Sequence, residues 1–226
     1  AREIEGQRPN EAVGYILEGD IHAAEKRWSD AAVAYRNGVR QAPASELAIK
    51  LHKALLSAGK TAEAEKAATS WLKDHPKDVA FRLYSGDLAT ARKDYPAAAQ
   101  YYRAAVDLQP ENALALNNLA WVSGQMKSPK ALEYAERANR LAPNQPAFMD
   151  TQAMLMAEQG DTAGATALLL KSLEIAPQAA AIRLNLAKVL IRAGRKDEAR
   201  VELEALAKLG NRFSEQAEVR RLQGTL

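Results

Sequence analysis

Prolines recur at Pro9, Pro43, Pro76, Pro110, Pro143 and Pro177, spaced 34, 33, 34, 33 and 34 residues apart. A second column keeps the same phase: Ala31, Ala64, Ala98, Ala131 and Ala165 each stand twelve residues before a proline, and Ala199 continues the series. A chain with this period is an array of similar pieces, each burying its apolar face on its neighbours, and has no single compact core. The piece that shows the pattern most fully is residues 79–110, VAFRLYSGDLATARKDYPAAAQYYRAAVDLQP. It reads as two short amphipathic helices, 79–92 and 96–108, joined by a turn at 93–95. Gly86, Ala98 and Ala105 leave room for the helices to approach, while Leu83, Tyr95 and Tyr102 supply bulk around them. Pro110 ends the second helix.

That order of small, aromatic, small and proline resembles the tetratricopeptide repeat, a helix-turn-helix unit of about 34 residues. With Val79 as position 1, the signature positions 8, 11, 20, 24, 27 and 32 fall on Gly86, Ala89, Ala98, Tyr102, Ala105 and Pro110. Only position 11, usually a large aromatic, departs. The resemblance implies an all-α, TPR-type α-solenoid, a right-handed superhelix of six repeats at 12–43, 45–76, 79–110, 113–143, 146–177 and 180–211. Residues 1–9 would be the end of a truncated preceding repeat, which makes the chain a fragment. Residues 214–223 would be a C-terminal capping helix, because Arg221 stands where a further partner helix would need a small residue. Repeat two replaces the small residue at position 8 by His52 and exchanges large and small at Ala68 and Trp71, a volume-conserving swap. Repeat four is one residue short, and the deletion is placed in its turn, GQMKSPK. In repeat five Gly160 is suited to the left-handed conformation that ends a helix and Asp161 to capping the next; RAGRKDEA repeats the pattern in repeat six. Pro96, Pro129 and Pro146 fall at expected helix starts, where a missing N–H is tolerated.

Composition narrows the function. The hydrophobic fraction of 47% with only 6% aromatics suits close helix packing, and no apolar run is long enough to span a membrane. Without cysteine there is no disulfide, thiolate metal site or cysteine nucleophile. The net charge is +3, and residues 182–226 hold ten Lys or Arg against six Asp or Glu, so the basicity is terminal and mild. Such a balance lacks the dense basic stripe that nucleic acid requires. His22, His52 and His75 lie in separate repeats at non-equivalent positions, and there is neither a nucleophile motif nor a glycine-rich phosphate loop. No catalytic residue, cofactor or metal is expected, and the chain reads as a non-enzyme.

What remains is a concave surface, which the resemblance assigns to positions 2, 5, 6, 9, 12 and 13 of the first helices. It would carry Leu83, Tyr84, Asp87, Asn117, Asn118, Trp121, Asp150, Met154, Leu184, Asn185, Lys188 and Arg192, and would bind a protein or peptide partner. Trp121 is the sharpest member: at position 9 its indole either faces the groove as an anchor or packs against the next repeat. Asn118 and Asn185 share position 6, where an amide can bond the backbone of an extended peptide. The Lys and Asn clamp by which some members hold a C-terminal carboxylate is absent, since repeats one and two offer Ile16, Asp20, Ile49 and Lys53. Lys188, Arg192 and Arg195 form an isolated basic patch. Residues 117–161 also resemble the C-terminal repeats of bacterial PEP-CTERM-system TPR lipoproteins, which implies an exported, lipid-anchored parent accompanying exopolysaccharide production. The alternatives are a cytoplasmic co-chaperone or assembly adaptor, and an accessory domain of an enzyme.

Overall fold

The computed structural model describes residues 10–226, so the reading of 1–9 and of Pro9 as the end of a preceding repeat lies outside the described residues. Thirteen α-helices and no strand are found among them. In chain order they are α1 (Ala12–Ala24), α2 (Trp28–Gln41), α3 (Ser45–Ser57), α4 (Thr61–Asp74), α5 (Val79–Ala91), α6 (Tyr95–Leu108), α7 (Ala113–Gln125), α8 (Ala131–Leu141), α9 (Pro146–Glu158), α10 (Thr162–Ile175), α11 (Ala180–Arg192) and α12 (Lys196–Ala207), a first and a second helix for each of the six repeats. The last helix, α13, spans Gln216–Gln223. The chain divides into two compact bodies, Ala1–Leu88 and Ala89–Leu226. In the first, α1, α2, α3 and α4 pack consecutively; in the second, α6 to α13 do the same, and the first helices α7, α9 and α11 also touch in succession.

The proline column sets where the second helices stop. Pro excludes the residue before it from the helical region, and Ala42, His75, Gln109, Ala142 and Ala176 all leave it, with φ between −126 and −137° and ψ between 66 and 83°. Each of those helices ends one residue earlier. Asn211 imposes no such restriction, and there α12 runs on through Lys208 in helical geometry to a 3-10 turn at Gly210–Arg212. At the other end of the second helices, position 15 is left-handed in every repeat. Gly59, Gly160 and Gly194 occupy it in three, but Lys26, Lys93 and Lys127 do so at φ of 58, 60 and 54°. A side chain there costs on the order of 1 kcal/mol. Lys93→Gly should therefore raise stability by about 0.5 to 1 kcal/mol in urea unfolding; a lower midpoint would show that the turn is not strained. Asp161 caps α10 as expected, accepting from the Gly164 N–H at 2.8 Å, and Asp94 and Asn112 cap α6 and α7 in the same way.

The shortened repeat alters more than its loop. Whereas α10 has 14 residues, α8 has 11 and begins only at Ala131. Pro129 consequently stands in the turn ahead of the Lys130 N-cap and not at a helix start, a correction to the sequence reading; Pro96 and Pro146 do lie in first turns. The missing residue is absorbed by unwinding the first turn of the second helix.

The alanine column is buried throughout, with Ala131 at 3% exposure and the other five at 0%. In repeat five Ala165 packs in one cluster with Ala153, at position 8, and Leu169. Added methylenes at such a crossing force the helices apart. Ala165→Leu is expected to cost about 1 to 2 kcal/mol, the lower part of the overpacking range because an array can yield locally; equal urea midpoints for variant and parent would remove the crossing point from this column. In repeat one the small residue at position 8 is enforced more severely, since a Cβ on Gly19 would lie 2.1 Å from Tyr35 Cε1. Repeat two solves the same place differently: His52 is buried with Nδ1 2.8 Å from Tyr84 Oη, and Trp71 packs with Ala48 and Phe81 while its indole N–H donates to Asp78 at 2.6 Å. At the C-terminal end, α13 buries Val219 and Leu222 and turns Arg221 outward into an ion pair with Glu218 at 2.7 Å.

Candidate functional site

The twelve groove positions divide between the two bodies. Leu83, Tyr84 and Asp87 belong to the first. There Leu83 is half-buried, Asp87 is exposed, and Tyr84 is held by its hydroxyl against His52 with Lys53 Nζ 5.3 Å from the ring centre. Asp20, also on a first helix of that body, accepts from the Tyr35 hydroxyl at 2.6 Å and from Lys50 at 2.8 Å. These polar groups are spent on joining neighbouring helices.

The second body holds the other nine, on α7, α9 and α11. Trp121 is 40% exposed and meets Tyr95 edge-on at 5.7 Å, so the indole is fixed in orientation while much of it stays open. Asn118 is half-buried and accepts from Asn117 Nδ2 at 3.3 Å. Met154 packs partly on the cluster of Ala153, Leu169 and Ile182. Across from it, Asn185 Nδ2 donates to both Asp150 carboxylate oxygens, at 2.9 and 3.0 Å, bridging α9 and α11. Burial pushes the Asp150 carboxyl up to about 6, against the opposing pull of the Asn185 hydrogen bond and the Lys188 charge. Lys188 lies 3.8 Å from Glu218 of α13, and the exposed Arg192 donates to the Ala157 carbonyl at 2.8 Å.

Position 5 is more inward than the sequence reading allowed. Leu184, expected on the groove, is 1% exposed and packs with Leu203, Phe213, Val219 and Leu222. Asn117 is 9% exposed, with its Oδ1 buried and unpaired. On the second body the position-5 residues are drawn inward: Leu184 becomes core, Asn117 backs a neighbouring amide on its own helix and Asp150 becomes part of an inter-repeat bridge. The candidates on the second body that stay half-buried or exposed, apart from Asp150, are Asn118, Trp121, Met154, Asn185, Lys188 and Arg192. Tyr95 and Glu218 were not among the sequence candidates; the aromatic directly before Pro96 was the one hint to the first. Among the described residues no group of three His, Cys, Asp or Glu could hold a metal ion, and no helix is long and apolar enough to cross a membrane.

Models of the tetratricopeptide repeat match residues 50–113, 94–146 and 156–226. A tetratricopeptide-repeat-containing protein of Pseudomonas aeruginosa is 28% identical over 117 residues, 51% of this chain but only 20% of that protein. Among solved structures, PilF of Pseudomonas aeruginosa aligns with a TM-score of 0.73 and 22% identity over 97% of this chain and 100% of that one. A tetratricopeptide repeat protein from Parabacteroides merdae aligns with a TM-score of 0.72 and 17% identity over 87% of this chain and 79% of the other. At these identities the two structures speak to fold alone.

Proposed function

The chain belongs to the tetratricopeptide repeat family, and from that premise we propose that it is a non-catalytic scaffold that binds a protein partner in extended conformation across α7, α9 and α11. The observation that carries this reading is Trp121, a large aromatic side chain of the first helix α7 left 40% exposed and braced by Tyr95. Amphipathic aromatics held in one orientation lose little entropy on binding and dominate interface energetics. Around it Asn118 and Asn185 supply amides for a partner backbone, and Met154 an adaptable apolar surface. A photo-crosslinking side chain at Asn118 or Met154 should capture the partner, and one at the exposed Glu133 of α8 should not. Equal capture from all three positions would displace the site from the first helices.

The narrower role of the parent protein, in the bacterial envelope alongside exopolysaccharide production, is supported by the wording of residues 117–161 alone. Deleting the gene from its host and measuring secreted polysaccharide tests it, and an unchanged yield would reject it.

A further inference from the structure

We infer that the cleft between the turn at 125–130 and the C-terminal end of α9 is a second contact point on the same face, shaped for an acidic peptide segment that lays an apolar side chain on its floor and a carboxylate at its rim. This rests on the reading of α7, α9 and α11 as a peptide-binding face. It starts from the deletion in repeat four, which unwound the first turn of α8 and left non-helical chain where a helix would otherwise stand.

The resulting cleft has a volume of about 780 Å³ and is lined by both chain turns and by Arg192 of α11. Its floor is apolar: Ala131, Leu155 and Ala157 are nearly buried, and Pro129 adds to them. Gly124 is required bare, since a Cβ there would lie 2.6 Å from Leu155 Cδ2. Helix-end carbonyls would ordinarily make such a place one for donors, but three of those on the lining residues are already used: Gly124 accepts from Lys127, Leu155 from Gln159, and Ala157 from Gly160 and Arg192. What the rim offers instead is cations. Lys127 makes no ion pair among the described residues, nor does Arg192, whose guanidinium spends one donor on Ala157 and keeps the rest. Glu158 opposes them, leaving an excess of one positive charge over an apolar floor. Complementarity of that kind selects a ligand with an acceptor charge next to an apolar group and disfavours a basic one.

The probe is an acetylated, amidated peptide of sequence Gly-Glu-Phe-Glu-Gly, titrated into the isotope-labelled full chain while the amide resonances of Gly124 and Gly160 are followed. Saturable movement of both at millimolar peptide is expected, with about tenfold weaker binding when the two glutamates are replaced by lysine. Arg192→Glu should invert that preference, a readout that a merely structural disturbance would not give. Inserting alanine after Ser128, which restores the full repeat length, should abolish the shifts. In Trp121→Ala the shifts should persist, so a failure of the groove reading shows as lost dependence on Trp121 in partner crosslinking while the cleft titration is untouched. Equal movement with the acidic and basic peptides, or no movement of Gly124 and Gly160, overturns the inference.

Discussion

Asp150→Asn should stabilise the protein at neutral pH by about 2 to 3 kcal/mol, and the gain should vanish in acid. Burial raises the carboxyl from its ordinary 3.8 to about 6 even though the Asn185 hydrogen bond and Lys188 work in the opposite direction. Between those two values the folded protein keeps a proton that the unfolded chain has released. The folded state then binds more protons, so this group makes stability fall as pH rises through the window, and above about 6 its full cost is present. A change from 3.8 to about 6 corresponds to about 3 kcal/mol at about 1.36 kcal/mol per pKa unit, with solvent in the groove reducing it somewhat. Asparagine keeps the shape and an oxygen that accepts from Asn185, so the bridge between α9 and α11 survives while the buried charge is gone. Urea unfolding of parent and variant at about pH 4 and pH 7 would show midpoints that coincide in acid and separate at neutrality. A constant difference at both values would mean that the carboxylate is not destabilised by burial.

The two sequence columns carried most of the fold because each has a local physical cause. Proline removes the preceding residue from helical geometry wherever it stands, and a methyl at the helix crossing admits little else, so both could be read without knowing the neighbours. The left-handed turn was legible at Gly160 and Gly194 but hidden at Lys26, Lys93 and Lys127, whose identity gives no hint of positive φ. Pro129 misled for a related reason: a proline suits a helix start, but the deletion beside it removed that start. The site was legible only as a face. Position 5 could not be resolved by register, because Leu184 is buried through Val219 and Leu222 of α13 and Asp150 through Asn185 of α11. Such burial depends on which side chain the next helix presents, a non-local fact that no period encodes.

Trp121→Ala should weaken binding of the protein partner by about 2 to 4 kcal/mol, at least roughly thirtyfold, while leaving the fold nearly as stable as before. The two halves of this expectation come from one geometry. With 40% of the residue exposed and its ring meeting Tyr95 at its edge, truncation removes a limited contact from the free protein and creates no closed cavity. A fully buried tryptophan would cost about 3 to 5 kcal/mol on the same change. In the complex the exposed part would be covered, so that share of the indole's apolar burial is realised only there. Trp121→Phe separates area from the polar handle: it keeps the edge contact with Tyr95 and most of the apolar face, and should recover much of the affinity if packing is what counts. Partner affinity by calorimetry and stability by urea unfolding, measured on the same three proteins, decide the matter. A stability loss as large as the affinity loss would place the indole in the packing between helices, and would take Asn118, Met154 and Asn185 out of the proposed site with it.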